Sequence, residues 1–316
     1  MTSIAVLSAR HVEAAVTPSE AVDAVRAAFV AHARGEWTMP PKVYVAAYPA
    51  GDFRAMPALG DGYALLKWVT SFPGNPARGL PTVTGLVLLS DATDGTLRAV
   101  LDTGAITALR TGAAAVLAAE ILGRPDATSA AVVGAGVNGR AAARTFVERG
   151  RPVAVWDIDA GRAATAADEL GAAVAGSREE ALAADIVVTV TPGHEVLFPV
   201  GSLHAGQHVS LMGADGPGKA EIAAEELARV HVFCDDWGQA SHNGDIVHAL
   251  AAGLIERSDV TILGDVLTGA AGGRASADDV TVFDSTGLAI QDLTVALAAY
   301  RRYEAGELSD VQTISL

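Results

Sequence analysis

Residues 130–139 read AAVVGAGVNG and run straight into RAAARTFVERG, which has helical period. An apolar strand, a turn with glycine at 134, 136 and 139, and a helix that opens at once restrict this stretch to a strand–turn–helix unit of the dinucleotide-binding kind. Gly134 permits the tight turn, Gly136 lets backbone approach a diphosphate, and Gly139 lets the helix pack close to the strand. The helix start offers unpaired N–H groups and the positive end of its dipole to phosphates. Val137 and Asn138 open that helix and join the glycines as candidate cofactor contacts. Such a unit needs an acidic residue closing the next strand, and Asp157, in VAVWDID, stands eighteen residues past Gly139. Its carboxylate would accept from a ribose 2′-hydroxyl and repel a 2′-phosphate, which favours NAD over NADP. Ile158 beside it is a further candidate contact, and Arg162 is the nearby cation that softens the preference.

The texture around the motif agrees. From Thr128 onward PVAVWDID, DIVVTVTP, HVSLMGAD and VHVFCDD follow as apolar strands with helical segments between most of them. Short apolar strands alternating with helices predict a parallel sheet covered on both faces, a doubly wound α/β domain of Rossmann type over about 123–283. Thr189, Thr191 and Met212 fall where such strands end, at the edge where ligands of open α/β sheets bind. For the two threonines an ordinary strand end is the equal alternative. Residues 1–122 read differently. A helix is predicted over 18–34 with a serine at its start. Strands are predicted over 42–48, 62–69, 81–90 and 96–101, and a long apolar helix over 104–122. This is a strand-rich α+β unit closed by a helix. A last helix, 287–304, is expected to return to it.

Composition removes several function classes. The net charge of −15 argues against a nucleic-acid or anionic-membrane partner, since both need clustered Lys and Arg. The single cysteine, Cys234, excludes an internal disulfide and a cysteine zinc cluster, and its run VHVFC predicts a buried thiol. His204, His208, His231, His242 and His248 show no metal-ligand spacing, so no metal is expected. No uninterrupted apolar stretch of about 18 residues suggests a membrane span. The first residues lack the pattern of a secretory signal, which places the expected location in the cytoplasm.

The first unit offers cations in apolar company. Lys67 lies in ALLKWV; apolar surroundings would lower its pKa and suit it to acid–base work or to gripping a carboxylate. The alternative is a strand lysine facing solvent. Lys42 and Arg54, in PPKVYVAAYPAGDFRAMPAL, could hold a substrate carboxylate, although spacing alone favours surface positions for both. Arg110, in an apolar helix, needs an anion, either a cofactor phosphate or a protein carboxylate. Asp215 ends an apolar strand and could handle a substrate amine, or could serve the turn before Gly-Pro-Gly.

At these residues the sequence resembles the ornithine cyclodeaminase/mu-crystallin family, and within it the archaeal-type alanine dehydrogenases. The segments PPKVYV, GDFRAMPAL, LKWVTSFPGNPARGLPTVTG, ITALRTGAA, VGAGVNG, MGADGPGK and FDSTGLAIQD carry the resemblance over nearly the whole chain. The resemblance implies that Lys67 is the active-site lysine and that Lys42 and Arg54 lie near the substrate, Lys42 standing where many relatives carry arginine. It implies that Asp215 handles the substrate amine, that Arg110 and Thr111 contact a cofactor phosphate at a helix start, and that Ser285, Thr286 and Gly287 approach the nicotinamide. It also implies a homodimer, with residues 1–122 and 284–316 as the substrate-binding and dimerisation domain. It leaves the reaction open among NAD-dependent oxidation of a small 2-amino acid or reduction of its imine, cyclodeamination of ornithine or lysine with no net use of NAD, and cofactor binding without turnover.

Overall fold

The computed structural model describes residues 3–216 and 218–315. The chain opens with β1 (Ser3–Leu7), α1 (Ala9–Ala15), α2 (Pro18–Ala33), β2 (Val43–Ala47), β3 (Gly51–Gly60), β4 (Tyr63–Ser71), β5 (Val83–Asp91), β6 (Leu97–Asp102) and α3 (Thr103–Leu122). It continues through β7 (Ala130–Val133), α4 (Val137–Glu148), β8 (Ala154–Trp156), α5 (Ala160–Leu170), β9 (Ala173–Val174), α6 (Arg178–Leu182), β10 (Ile186–Thr189) and β11 (His208–Leu211). Then come α7 (Ala224–Leu227), β12 (His231–Cys234), α8 (Trp237–Asn243), α9 (Ile246–Ala251), β13 (Val260–Ile262), α10 (Leu263–Thr268), β14 (Thr281–Asp284), α11 (Ala289–Glu304) and β15 (Gln312–Ser315). Two compact units result, one of residues 1–110 with 288–316 and one of residues 111–287.

The first unit is a seven-stranded mixed sheet in the order β15-β1-β6-β5-β4-β3-β2. Among the described residues only β1 and β6 pair in parallel. The sequence reading missed β3, because Pro57 demotes a strand. Pro57 lies past Ala55, the last β3 residue that pairs with β2, so its missing N–H falls where the ladder has already ended on that side. In β4 burial alternates strictly over Leu65–Val69, with Leu65, Lys67 and Val69 inward and Leu66 and Trp68 exposed. Helix α2 begins at Pro18, where it was expected. Thr17, not a serine, is its cap, accepting from the Glu20 N–H at 3.2 Å while Glu20 accepts from the Thr17 N–H at 2.9 Å. Helix α11 packs on α2, β3 and β4 and is buried along most of its length.

The second unit is an eight-stranded sheet, every pair parallel, in the order β13-β12-β14-β11-β10-β7-β8-β9. This is the doubly wound Rossmann architecture. From β7 the chain builds one way through β8 and β9, then returns to build the other way from β10. The switch point, where crevices for ligands form, lies between β7 and β10. Strands β9, β13 and β14 were not read from the sequence; they have two, three and four residues.

The division between units falls within α3, not after it at 122/123 as the sequence reading had it, and the return falls at 287/288, not 283/284. The physical reason is close packing inside the second unit. A Cβ on Gly112 would stand 2.7 Å from the Ala141 carbonyl oxygen, and Ser210 donates to the Ala115 carbonyl at 3.3 Å. By length and composition α3 is apolar enough to cross a membrane, contrary to expectation; 78% of its apolar window is buried inside the protein, as in a core helix.

Candidate functional site

In the first unit a cationic cluster gathers on one buried carboxylate. Lys67, in β4, is 1% exposed. Its ammonium donates to Asp292 Oδ1 at 2.9 Å and to Thr107 Oγ1 at 2.7 Å. Strand alternation turns it inward, and α11 covers it with the carboxylate of its own first turn, a position the helix dipole favours. Arg110, in α3, approaches the same Asp292 oxygen at 3.3 Å and Gln291 at 3.4 Å. Of the two anions open to Arg110, the protein carboxylate is the one it meets in this unit. Burial is the main influence on Lys67 and lowers its pKa; Asp292 works against it, and Arg110 and Arg54 add to the lowering, so the value falls to about 8. Arg54, expected at the surface, is buried. Asp52 engages it at 2.6 Å through Nε and at 3.3 Å through Nη2, and its guanidinium lies 5.3 Å over the Tyr44 ring. Lys42 is half-buried just before β2.

Sequence reasoning missed Asp292, Asp52 and Thr107. A carboxylate inside the apolar run AIQDLTVALAAY is a signal in itself, since a buried charge needs a partner. The second oxygen of Asp292, Oδ2, is buried with no hydrogen-bond partner among the described residues.

In the second unit the glycine turn has the shape the motif demands. Gly134 has φ 105°, and a Cβ there would meet the Val190 carbonyl oxygen at 2.6 Å. A Cβ on Gly139 would stand 1.7 Å from the Gly134 carbonyl oxygen. Gly136 faces open space, and a Cβ there would touch nothing within 4 Å. Gly136 is the position at which the dinucleotide fingerprint calls for bare backbone. Val137 is 71% exposed and Ile158 88%, two bare apolar side chains flanking the turn. Asn138 is half-buried on the first turn of α4. The Thr111 hydroxyl is buried and has no hydrogen-bond partner among the described residues.

Asp157 is buried and does more than the motif asks. Its Oδ2 accepts from the Ala135 N–H at 2.7 Å and its Oδ1 from the Asp159 N–H at 2.8 Å, with Arg162 at 3.5 Å. The carboxylate thus braces the glycine turn as well as closing β8. Thr189 and Thr191 turn to a partner the sequence did not reveal. Glu221 accepts from Thr189 Oγ1 at 2.7 Å and from Thr191 Oγ1 at 2.5 Å. Ser285, Thr286 and Gly287 are likewise engaged by Asp235, which accepts from Ser285 Oγ at 3.0 Å and from the N–H groups of Thr286 and Gly287 at 2.8 Å. Met212 is half-buried after β11. Asp215 is half-buried and pairs with Lys219 at 2.7 Å; Pro217, part of the Gly-Pro-Gly expected to form a turn, lies outside the described residues. Cys234 is buried, as read. Among the described residues no group of three or more His, Cys, Asp or Glu side chains could hold a metal ion.

With both arrangements in view, comparison with known proteins becomes specific. The model of the ornithine cyclodeaminase/mu-crystallin family matches residues 3–307. The chain belongs to the ornithine cyclodeaminase/mu-crystallin family. An alanine dehydrogenase of Archaeoglobus fulgidus is 39% identical over 302 residues, covering 93% of this chain and 94% of its own. An iminosuccinate reductase of Paracoccus denitrificans is 32% identical over 305 residues, with the same coverage of 93% and 94%. A solved archaeal alanine dehydrogenase dimer with bound NAD superposes with a TM-score of 0.94 at 36% identity, covering 100% of both chains. As a member of this family, the chain has the family's α/β fold throughout.

Proposed function

We propose that this protein is an NAD-dependent oxidoreductase acting on the C–N bond of a small 2-amino acid or its imine. The observation that carries the reading is Lys67: a fully buried ammonium, depressed to about 8, held by a carboxylate and flanked by two guanidinium groups. A lysine so placed holds or yields a proton near neutral pH, which is what deprotonating an amine, protonating an imine or activating a hydrolytic water requires. Arg54, oriented by Asp52, and Lys42 supply positive charge for the substrate carboxylate. Asp215 assists proton transfer. In the second unit the open Gly136, the buried Asp157, the exposed Val137 and Ile158 and the partnerless Thr111 hydroxyl fit a dinucleotide. NAD, when bound, supplies the two-electron acceptor; Asp157 favours it over NADP. The NAD bound to the solved alanine dehydrogenase supports the same assignment.

Purified protein with L-alanine and NAD should show rising absorbance at the reduced-nicotinamide band, and pyruvate with ammonia and NADH should show it falling. Absence of both removes alanine as substrate. Ammonia release from ornithine with no net NADH would instead mark a cyclodeaminase.

We also propose a homodimer. Val43, Ala55, Trp68 and Leu86 stand directly opposite one another across β2, β3, β4 and β5, and three of them are 57%, 42% and 52% exposed at Val43, Trp68 and Leu86. A contiguous apolar row on an open sheet face suits a second copy of the chain. Sedimentation at micromolar concentration tests it, and a monomer rejects it. The cytoplasm remains the proposed compartment, tested by cell fractionation.

A further inference from the structure

Among the described residues the second unit buries six carboxylates, Asp157, Glu221, Glu226, Asp235, Asp245 and Asp284, and Glu221, Asp245 and Asp284 form a chain that ends at the glycine turn. Glu221 is the hub. Its Oε1 accepts from the Thr191 N–H at 3.1 Å and its Oε2 from the Gly213 N–H at 3.1 Å, in addition to the two threonine hydroxyls. Thr191 Oγ1 in turn accepts from the Gly193 N–H at 3.1 Å. A Cβ on Gly213 would stand 2.6 Å from both the Glu221 carboxyl and the Thr191 carbonyl oxygen, so the segments after β10 and β11 are clamped on this one side chain. The Val190 carbonyl, next to that clamp, fills the space a side chain on Gly134 would need. Behind Glu221, its own N–H donates to Asp245 Oδ1 at 2.5 Å. The Ile246 N–H donates to Asp284 Oδ2 at 3.1 Å, and the Asp284 carboxyl lies so close to Gly244 that a Cβ there would stand 2.2 Å from it. Among the described residues Asp245 Oδ2 and Asp284 Oδ1 are buried and meet no hydrogen-bond partner, and both residues are 0% exposed.

Two buried carboxyl groups, each with an unsatisfied oxygen, cannot both stay ionised without a large cost, and one proton between them relieves it. We propose that Asp245 and Asp284 carry one proton between them, and that through the Glu221 backbone this pair sets Glu221 as a positioning residue for the segments after β10 and β11, the first of which lies against the glycine turn. The inference deepens the dinucleotide reading above and rests on it for its binding assay. Burial, then the charges of Asp235 and Glu221, push Asp284 up to about 7, against the N–H groups of Ile246 and Asp245; burial, Asp284 and Glu221 push Asp245 well up. Cys234, beside Asp235, is raised by burial and stays a thiol.

The test compares Glu221→Gln and Asp284→Asn with wild type by NADH fluorescence titration from pH 6 to 9 and by infrared spectroscopy. Glu221→Gln turns an NH2 toward a backbone N–H, and NADH affinity should fall about tenfold at every pH with KM for the amino acid unmoved. Wild-type affinity should decline as pH rises through about 7, when the shared proton leaves, while Asp284→Asn, which carries its hydrogens at all pH, should show a flat profile. The infrared C=O stretch of a protonated carboxylic acid should be present at pH 6 in wild type and should lose intensity or shift in Asp284→Asn. Should Glu221→Gln not fold, Thr191→Val, which deletes one hydroxyl donor, takes its place with about a threefold loss expected. Folded Glu221→Gln with wild-type NADH affinity, or equal pH slopes in wild type and Asp284→Asn, overturns the positioning role; a missing acid band overturns the shared proton. If wild type itself takes up no NADH, the dinucleotide reading falls with the positioning role, and the infrared band alone then decides on the proton.

Discussion

The two units bury charge in opposite ways. The first places Lys67 and Arg110 against one carboxylate, Asp292, so charge compensates charge. The second meets its buried Glu221, Asp245 and Asp284 with backbone N–H groups and hydroxyls. The first arrangement leaves a buried titratable ammonium; the second ties several backbone segments to a few side chains. A paired cation can exchange a proton with something that enters, because its partner stabilises either state only in part. A carboxylate surrounded by fixed N–H donors holds the backbone that supplies them.

The contrast breaks most easily at Lys67. Lys67→Met removes the ammonium and keeps the volume, and kcat should fall about 10³-fold with NADH affinity held within about twofold. Turnover surviving in a folded variant would leave the first unit without its chemistry. Gly136→Ala probes the other side. The methyl meets no protein atom, so the melting temperature should hold, while NADH binding weakens about thirtyfold because the methyl occupies the approach of the diphosphate. Unchanged binding there would detach the glycine turn from any nucleotide. Gly139→Ala, which collides with the Gly134 carbonyl, should instead destabilise by about 3 kcal/mol, read from denaturant melts.

Smaller effects come from protons. Lys67 has a folded-state pKa of about 8, below its ordinary value of 10.5. Its burial therefore costs stability that is present below pH 8 and is relieved as pH rises toward 10.5; in turnover it should give a limb near pH 8 that Lys67→Met abolishes. Asp284 is raised, so its stabilising share is complete below the ordinary carboxylate range and is lost as pH rises through about 7. Asp284→Asn should gain melting temperature relative to wild type at pH 8 over pH 5, by a few degrees. A difference of the opposite sign would mean that the buried acids are ionised throughout.

Much of the second unit was legible because its signals are local. Glycines at 134, 136 and 139 constrain adjacent backbone, and short apolar strands alternate with helices over a few tens of residues. Strands of two to four residues, such as β9 and β13, leave too little periodicity to read. In the first unit β3 escaped because a proline at its interior is tolerated only where the neighbouring strand has ended, a fact about pairing and not about sequence.

By itself, then, the sequence determined the glycine turn, the acidic residue closing β8 and the parallel sheet that carries them, since each depends on residues near in the chain or on a motif. Only the tertiary structure decided the partners: Asp292 for Lys67, 225 residues away, and Glu221 for Thr189, 32 residues away. A buried charge finds its counter-group through packing of distant elements, and no local pattern records which of several carboxylates the fold will bring to it.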